Sequence, residues 1–139
     1  MDRIVALMRD KNHHLEKFYW INEQELLNFG VGNFESVENF YGARERILNS
    51  INELDALIDD ESALANPADI VEAVRDELET LLRSKDELVK AILAQDLQVL
   101  AYIEHEKSNI IRELRASATA KRAVGAYANA ERIKQLDQE

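Results

Sequence analysis

LLNFGVGNFESV, residues 26–37, joins two stretches of helical sequence and decides how the chain folds. Gly30 and Gly32 lie two residues apart, and glycine favours the positive φ that ends many helices. Asn33 follows directly and is well placed as the N-cap of another helix. The segment therefore predicts that one helix ends, the chain reverses and a second helix begins.

Apolar residues at alternating spacings of four and three define a helix on each side of this turn. The first helix is predicted from Asp2 to Phe29 and the second from Phe34 to Ile58. The seam of the first contains Ile4, Met8, Lys11, Leu15, Phe18, Asn22, Leu26 and Phe29. The seam of the second contains Phe34, Val37, Tyr41, Arg44, Leu48, Ile51, Leu54 and Ile58. Together they form a predicted first hairpin, residues 2–58.

An acidic linker is predicted at DDESALAN, residues 59–66, because acidic residues oppose the dipole at a helix C-terminus. Asn66 then reads as an N-cap with Pro67 at the first helical position. The apolar seam of this third helix contains Ile70, Val74, Leu78, Leu81, Lys85, Leu88 and Ile92.

Gln95 and Asp96 leave two alternatives open. Asp96 falls on Asn33 when the chain is compared with itself at an offset of 63 positions, which suggests a second N-cap. A break there predicts a second hairpin, residues 67–115, whose fourth helix carries Leu97, Leu100, Ile103, Lys107, Ile110 and Leu114. No glycine is present, however, so the third helix could continue. Because 63 is nine heptads, any two heptad seams would align at this offset.

The predicted fold is therefore all-α, with antiparallel helical hairpins in residues 1–115. Each hairpin has an apolar face that it cannot bury alone, and a four-helix bundle or an elongated coiled coil that dimerises would bury both. Residues 116–139 are rich in Ala and predict a C-terminal segment that is helical or mobile.

Composition narrows the function classes. The chain has 139 residues, a net charge of -10 and no cysteine. Phosphate backbones repel such a surface, so nucleic acid is a poor partner, whereas a basic or apolar protein is a better one. The stretch MDRIVALMRDKNHH has no apolar core of signal-peptide length, and the longest uncharged run, Leu26 to Phe34, is far below the roughly 20 residues of a membrane span. We therefore expect a soluble cytoplasmic protein.

No pattern of catalytic or metal-binding residues is evident. A di-metal helical bundle needs Glu three residues before its histidines, and none of His13, His14 and His105 has one. Gly-rich phosphate loops, catalytic triads and H-E-x-x-H motifs are also missing from the sequence. We therefore expect no enzyme activity, no cofactor and no metal.

Exposed aromatic residues are the best candidates for binding a partner protein. Trp20 and Leu27 lie seven residues apart on the face of the first helix opposite its seam. At the offset of 63 they align with Arg83 and Lys90, so the second half makes the same face polar. Either these side chains form a partner surface, for which Trp is a favoured anchor, or they pack against a third helix or the C-terminal segment. Tyr41 leaves the same alternatives open.

The order of these features resembles the small acidic helical chaperones of flagellar type III export, of the FlgN and FliT kind. The shared features are a helix ending at a glycine break (LLNFGVGNFESV), a helix with a basic residue before paired apolar residues (ARERILNSINELDALI), and a small-residue C-terminal segment with a Tyr (KRAVGAYANA).

The resemblance implies a binding module rather than an enzyme. Such chaperones hold the amphipathic C-terminal helix of an export substrate, such as a hook-filament junction or filament cap protein, in a groove between helices. It also suggests that residues 116–139, with Val124 and Tyr127, cover an apolar groove until the partner binds. The alternative is a homodimeric coiled-coil scaffold or adaptor without a chaperone role.

Overall fold

A computed structural model describes residues 2–137, which form helices and short connections without any strand. The elements, in chain order, are α1 (Asp2–Gly30), α2 (Val37–Leu64), a 3-10 turn (Pro67–Asp69) and α3 (Glu72–Asp137). The prediction of an all-α fold is confirmed. Met1, Gln138 and Glu139, which the predicted domains include, lie outside the described residues. Across 2–137, no helix is long and apolar enough to cross a membrane.

Two compact units make up the chain, Met1–Leu100 and Ala101–Glu139. The first unit holds α1, α2 and the part of α3 up to Leu100, and it contains the hydrophobic core. The second unit is helical through Asp137, and the residues at 111–136 are exposed throughout. The sequence analysis had placed the end of the bundle at residue 115.

The chain reverses at Gly32, as the sequence predicts. Gly32 has a φ of 78°, a backbone conformation that residues with a Cβ rarely adopt. Its N–H donates to the Phe29 carbonyl at 3.0 Å, and the Asn33 N–H donates to the Asn28 carbonyl at 2.9 Å. These two bonds satisfy carbonyls that the end of α1 would otherwise leave without a donor.

The second helix begins at Val37, three residues later than predicted. Asn33 accepts a bond from the Glu35 N–H at 3.0 Å and so forms a local turn instead of a helix cap. Ser36 occupies the N-cap position without capping α2. Its hydroxyl donates instead to the buried carboxylate of Glu25, with the shorter distance 2.7 Å, and ties the turn to α1.

Aromatic rings close this end of the hairpin. Phe29 stacks on Phe34 with ring centroids 4.7 Å apart, and it meets Phe40 edge-on at 6.3 Å. Phe29 and Phe40 are both buried, and such pairs add about 0.5–1.5 kcal/mol beyond their area burial. The rings therefore reinforce the reversal that Gly32 permits.

Ion pairs show that α1 and α2 are antiparallel. Lys11 Nζ lies 2.6 Å from Asp55, and Arg3 lies 3.2 Å from Glu61. Residue numbers thus fall along α2 as they rise along α1. The two helices therefore form a hairpin.

The predicted linker at 59–66 is mostly helix. α2 continues to Leu64, and Glu61 within it pairs with Arg3 of α1, which offsets the unfavourable charge near the helix C-terminus. Asn66 does act as a cap, since its side chain accepts from the Ala68 N–H at 3.1 Å. It caps only the short turn at Pro67–Asp69, however, and α3 begins at Glu72.

The third helix runs parallel to α1 and packs against it through side-chain amides. Asn12 Nδ2 donates to the Leu81 carbonyl at 3.0 Å, and Asn22 Nδ2 donates to Gln95 Oε1 at 3.0 Å. Gln95 in turn donates to the Tyr19 carbonyl at 3.1 Å. Residue numbers therefore rise together along the two helices.

The second hairpin predicted for 67–115 does not form, because α3 passes through Gln95 and Asp96 without interruption. Neither residue caps a helix. Gln95 is buried against α1, and Asp96 accepts a bond from Arg44 of α2 at 2.7 Å. The only glycine of α3 is Gly125, so nothing near Gln95 favours a break.

Three helices, rather than the predicted four, surround the core of the first unit. The buried cluster contains Leu15, Phe18, Ile51 and Ile92, with Tyr19, Ile47, Leu88 and Val89 packed against it. Burial of each large apolar side chain contributes about 1.5–3 kcal/mol. The predicted seam of α1 is largely confirmed, since Ile4, Leu15, Phe18, Asn22 and Phe29 are all buried.

Gly42 has a different role from Gly32. A Cβ at Gly42 would meet only the Arg46 guanidinium, at an ordinary contact distance of 3.7 Å, so the residue does not mark a close helix crossing. It lies within α2, where Gly is less favourable than Ala by roughly 1 kcal/mol.

Substituting Ala for these two glycines should change stability in opposite directions. We expect Gly32→Ala to lower the free energy of unfolding by about 1 kcal/mol, because Ala is strained at positive φ. Gly42→Ala should raise it by about the same amount. Urea unfolding followed by circular dichroism measures both. A neutral Gly32→Ala would show that the reversal does not need a left-handed residue.

Candidate protein-binding site

Large apolar side chains remain exposed along two neighbouring helices of the first unit. We call this surface the α2–α3 face, and it consists of Tyr41, Leu48, Leu82, Leu93, Leu97 and Leu100. Tyr41 and Leu48 are seven residues apart on α2, so they share one side of that helix. Leu93, Leu97 and Leu100 follow at spacings of four and three on α3, which also places them on one side.

The contact between α2 and α3 shows that the exposed apolar residues of both helices, one stripe on each, lie on the same side of the line where the helices meet. Arg44 and Asp96 join the two helices at 2.7 Å. On α2, Arg44 lies three residues after Tyr41, one helical turn away. On α3, Asp96 lies three residues after Leu93 and directly before Leu97. The exposed apolar residues therefore border the line along which the two helices meet.

Two adjoining depressions lie at the other end of the α2–α3 face. An apolar one of about 360 Å³ is lined by residues that include Ile4, Ile58, Leu78 and Leu82. A more polar one of about 340 Å³ shares Met8, Ile58 and Leu82 with it and adds Lys11, Asp55, Asp59 and Lys85. Each is large enough to receive a bulky side chain.

The dimensions of the face match a helix. Leu82 and Leu100 are 18 residues apart on α3, which corresponds to about 27 Å at roughly 1.5 Å per residue. A partner helix of about five turns would cover the stripe. Exposed apolar surface of this extent commonly marks a site of protein interaction.

Trp20 and Leu27 lie on α1, away from this face. They are 63% and 67% exposed, so the alternative in which Trp20 packs against a third helix does not hold. Trp20 lines a shallow depression of about 310 Å³ between α1 and α2, together with Ile21, Gln24, Glu25, Ser36, Asn39, Phe40 and Ala43. Leu27 is not among its lining residues. Both remain candidates for a second contact surface.

Tyr41 is the one predicted site residue that belongs to the α2–α3 face. Its ring centroid lies 5.4 Å from that of Phe40 and 5.7 Å from the Arg44 guanidinium carbon. Arg44 also lies over the Phe18 ring at 4.9 Å, so Tyr41 is backed by a cation that the core holds in place. Tyr41 thus contacts two neighbours and still remains 46% exposed.

Val124 and Tyr127 belong to the second unit, where both are exposed. The structure therefore distributes the five predicted residues over three surfaces: Trp20 and Leu27 on α1, Tyr41 on α2, and Val124 and Tyr127 on the second unit.

The sequence analysis missed most of the α2–α3 face because it assigned these leucines to apolar seams. Leu97 and Leu100 were placed in the seam of a fourth helix and Leu48 in the seam of the second, but all three are exposed. The buried residues of α3 nearby are Gln95 and Val99. The spacing of three and four that begins at Leu78 continues through Gln95 and Val99. Following it would have placed these two residues in the core and left Leu97 and Leu100 on the exposed side.

The described residues, 2–137, hold no group of three or more His, Asp or Glu side chains arranged to bind a metal ion. Comparison of the chain with protein-family models, with curated proteins and with solved structures finds no match. The candidate site is therefore defined by its geometry and chemistry.

Substitutions at neighbouring positions of α3 should separate the exposed face from the buried one. Leu97 is 71% exposed and Val99 only 2% exposed. Leu97→Gln should change the free energy of unfolding by less than about 0.5 kcal/mol. Val99→Ala should lower it by about 2 kcal/mol, through lost burial and a small cavity. Urea unfolding measures both, and a large loss for Leu97→Gln would contradict this assignment of faces.

Proposed function

We propose that this protein binds an amphipathic helix of a partner protein on the α2–α3 face. The observation that carries the proposal is the line of exposed leucines, Leu93, Leu97 and Leu100, beside Tyr41 and Leu48 of the neighbouring helix. Such a pair of stripes suits the apolar face of a helix laid between them.

Burial of the leucines would supply the binding energy. Each fully buried Leu contributes about 1.5–3 kcal/mol, from which the loss of translational and rotational freedom must be subtracted. An apolar anchor of the partner would enter the depression beside Leu78 and Leu82. With the partner helix in place, the first unit and that helix would together form a four-helix bundle, whereas the sequence predicts a bundle of the chain's own hairpins.

The biological role that we propose is that of a cytoplasmic chaperone of flagellar type III export. It would hold the C-terminal helix of an export substrate, such as a hook-filament junction or filament cap protein. The bound substrate would then not polymerise before export. The role needs no catalysis and no cofactor. The small acidic chain, the helical hairpin and the open apolar face all support it.

A homodimeric coiled-coil scaffold is the second candidate. The observation that favours it is the exposure of Ile110, Ile111 and Leu114 in the second unit, where a matching helix of another copy would cover them. In that case Leu114→Glu should convert a dimer to a monomer in sedimentation equilibrium. For the helix-binding function, the same substitution should leave the sedimentation unchanged.

Calorimetric titration tests the proposed function directly. The ligands are the C-terminal helices of a hook-filament junction protein and a filament cap protein of the same organism, each fused to a carrier. We expect Leu93→Ser/Leu97→Ser to weaken binding at least about tenfold, because two buried contacts are lost. The variant should unfold at the same urea concentration as the parent, since both residues are exposed.

Trp20→Ala/Leu27→Ser is the matched control, because it removes two exposed apolar side chains from α1 instead. It should bind like the parent. Loss of binding in the control alone would move the site to α1. If neither fusion binds the parent protein, the export-chaperone role is wrong.

A further inference from the structure

Carboxylates interrupt both apolar stripes of the α2–α3 face. On α2, Glu45 lies four residues after Tyr41 and three before Leu48, so it shares their side of the helix. Asp59 of the same helix lines the polar depression. On α3, Asp86 lies four residues after Leu82 and is also exposed. Lys90, which is exposed and lies three residues before Leu93, is a cation in the middle of the α3 stripe, between Leu82 and Leu100.

Three cations close to the ends of the face are already paired. Lys11 binds Asp55 at 2.6 Å, and Arg44 binds Asp96 at 2.7 Å. Lys85 lies 3.2 Å from Asp86.

Two carboxylates of the face are left without an ion pair of their own. Within residues 2–137, neither Glu45 nor Asp59 has an ion-pair partner. They are 14 residues apart, about 21 Å along α2 at roughly 1.5 Å per residue. A helix lying on the face would meet negative charge near both of its ends.

We infer that the α2–α3 face selects a helix whose apolar stripe is flanked by Lys and Arg. This inference rests on the proposed function and specifies the chemistry of the partner. A basic residue beside each end of the stripe would pair with Glu45 or Asp59, whereas an acidic residue there would be repelled. The net charge of the first unit also favours a basic partner, since residues 1–100 contain 21 Asp and Glu against 10 Lys and Arg.

A second copy of the chain is a weaker match for the face. Its residues 111–136 are basic, with six Lys and Arg against two Asp and Glu. Their large apolar residues, however, fall in three pairs that are separated by gaps of ten and six residues: Ile111 and Leu114, Val124 and Tyr127, Ile133 and Leu136. They would not form a continuous stripe along the leucines of α3.

Two synthetic peptides test the inference. Each has about 20 residues, enough for roughly 30 Å of helix, and carries the same leucine stripe. One is flanked by Lys and the other by Glu. Fluorescence anisotropy of labelled peptide with the full chain should show about tenfold tighter binding of the Lys peptide at low salt, and a smaller difference at high salt.

Paired variants locate the preference. Glu45→Gln/Asp59→Asn should reduce the preference for the Lys peptide from about tenfold to about threefold or less. Asp10→Asn/Glu53→Gln removes the same charge from exposed positions elsewhere on α1 and α2, and it should leave the preference within about twofold of the parent.

The outcomes separate this inference from the proposed function. If neither peptide binds, the helix-binding function itself is wrong. If both bind equally, helix binding stands and the charge preference is overturned. The preference is also overturned if both paired variants reduce it equally, since it would then come from the net charge of the whole chain. Self-association of the parent that Leu93→Ser/Leu97→Ser abolishes would show that a second copy occupies the face.

Discussion

Two polar contacts determine which side of α3 faces the core. Its apolar residues fall on two sides, one with Leu88, Ile92 and Val99, the other with Leu93, Leu97 and Leu100. Hydrophobicity alone does not decide between these sides. Gln95 belongs to the first side, and its bonds to α1 are possible only when that side faces the core. Asp96 meets Arg44 of α2 in the same arrangement, so the two contacts together leave the second side exposed.

This arrangement of α3 has an energetic cost. Asn22 is fully buried and its Oδ1 accepts no hydrogen bond, which costs about 1–3 kcal/mol. A seam of leucines would be more stable but would specify the register less well. Burying Gln95 while exposing Leu97 keeps an apolar surface available. That is the arrangement a helix-binding protein needs, because its binding surface must remain uncovered until the partner arrives.

Local signals predicted the parts of the fold that local chemistry determines. The glycine turn and the seam of α1 follow from backbone preferences and heptad spacing, and both are present. The course of α3 was harder to predict, because Gln95 and Asp96 read as a break when only their polarity is considered. Their partners, Asn22 and Arg44, are distant in sequence. Of the site, Tyr41 was found through its aromatic character, whereas the leucines looked like core residues until α1 and α2 were in place.

The carboxylates of the α2–α3 face would disfavour self-association through its exposed apolar residues. Two copies that met through their leucines would also bring Glu45 and Asp59 of each copy together, on a background net charge of -10. Like charges at an interface disfavour that pairing, while the same charges attract a basic helix. The same two carboxylates would thus disfavour a second copy of the chain and favour a basic partner helix. Neutral residues at these positions would leave the leucines equally open to both.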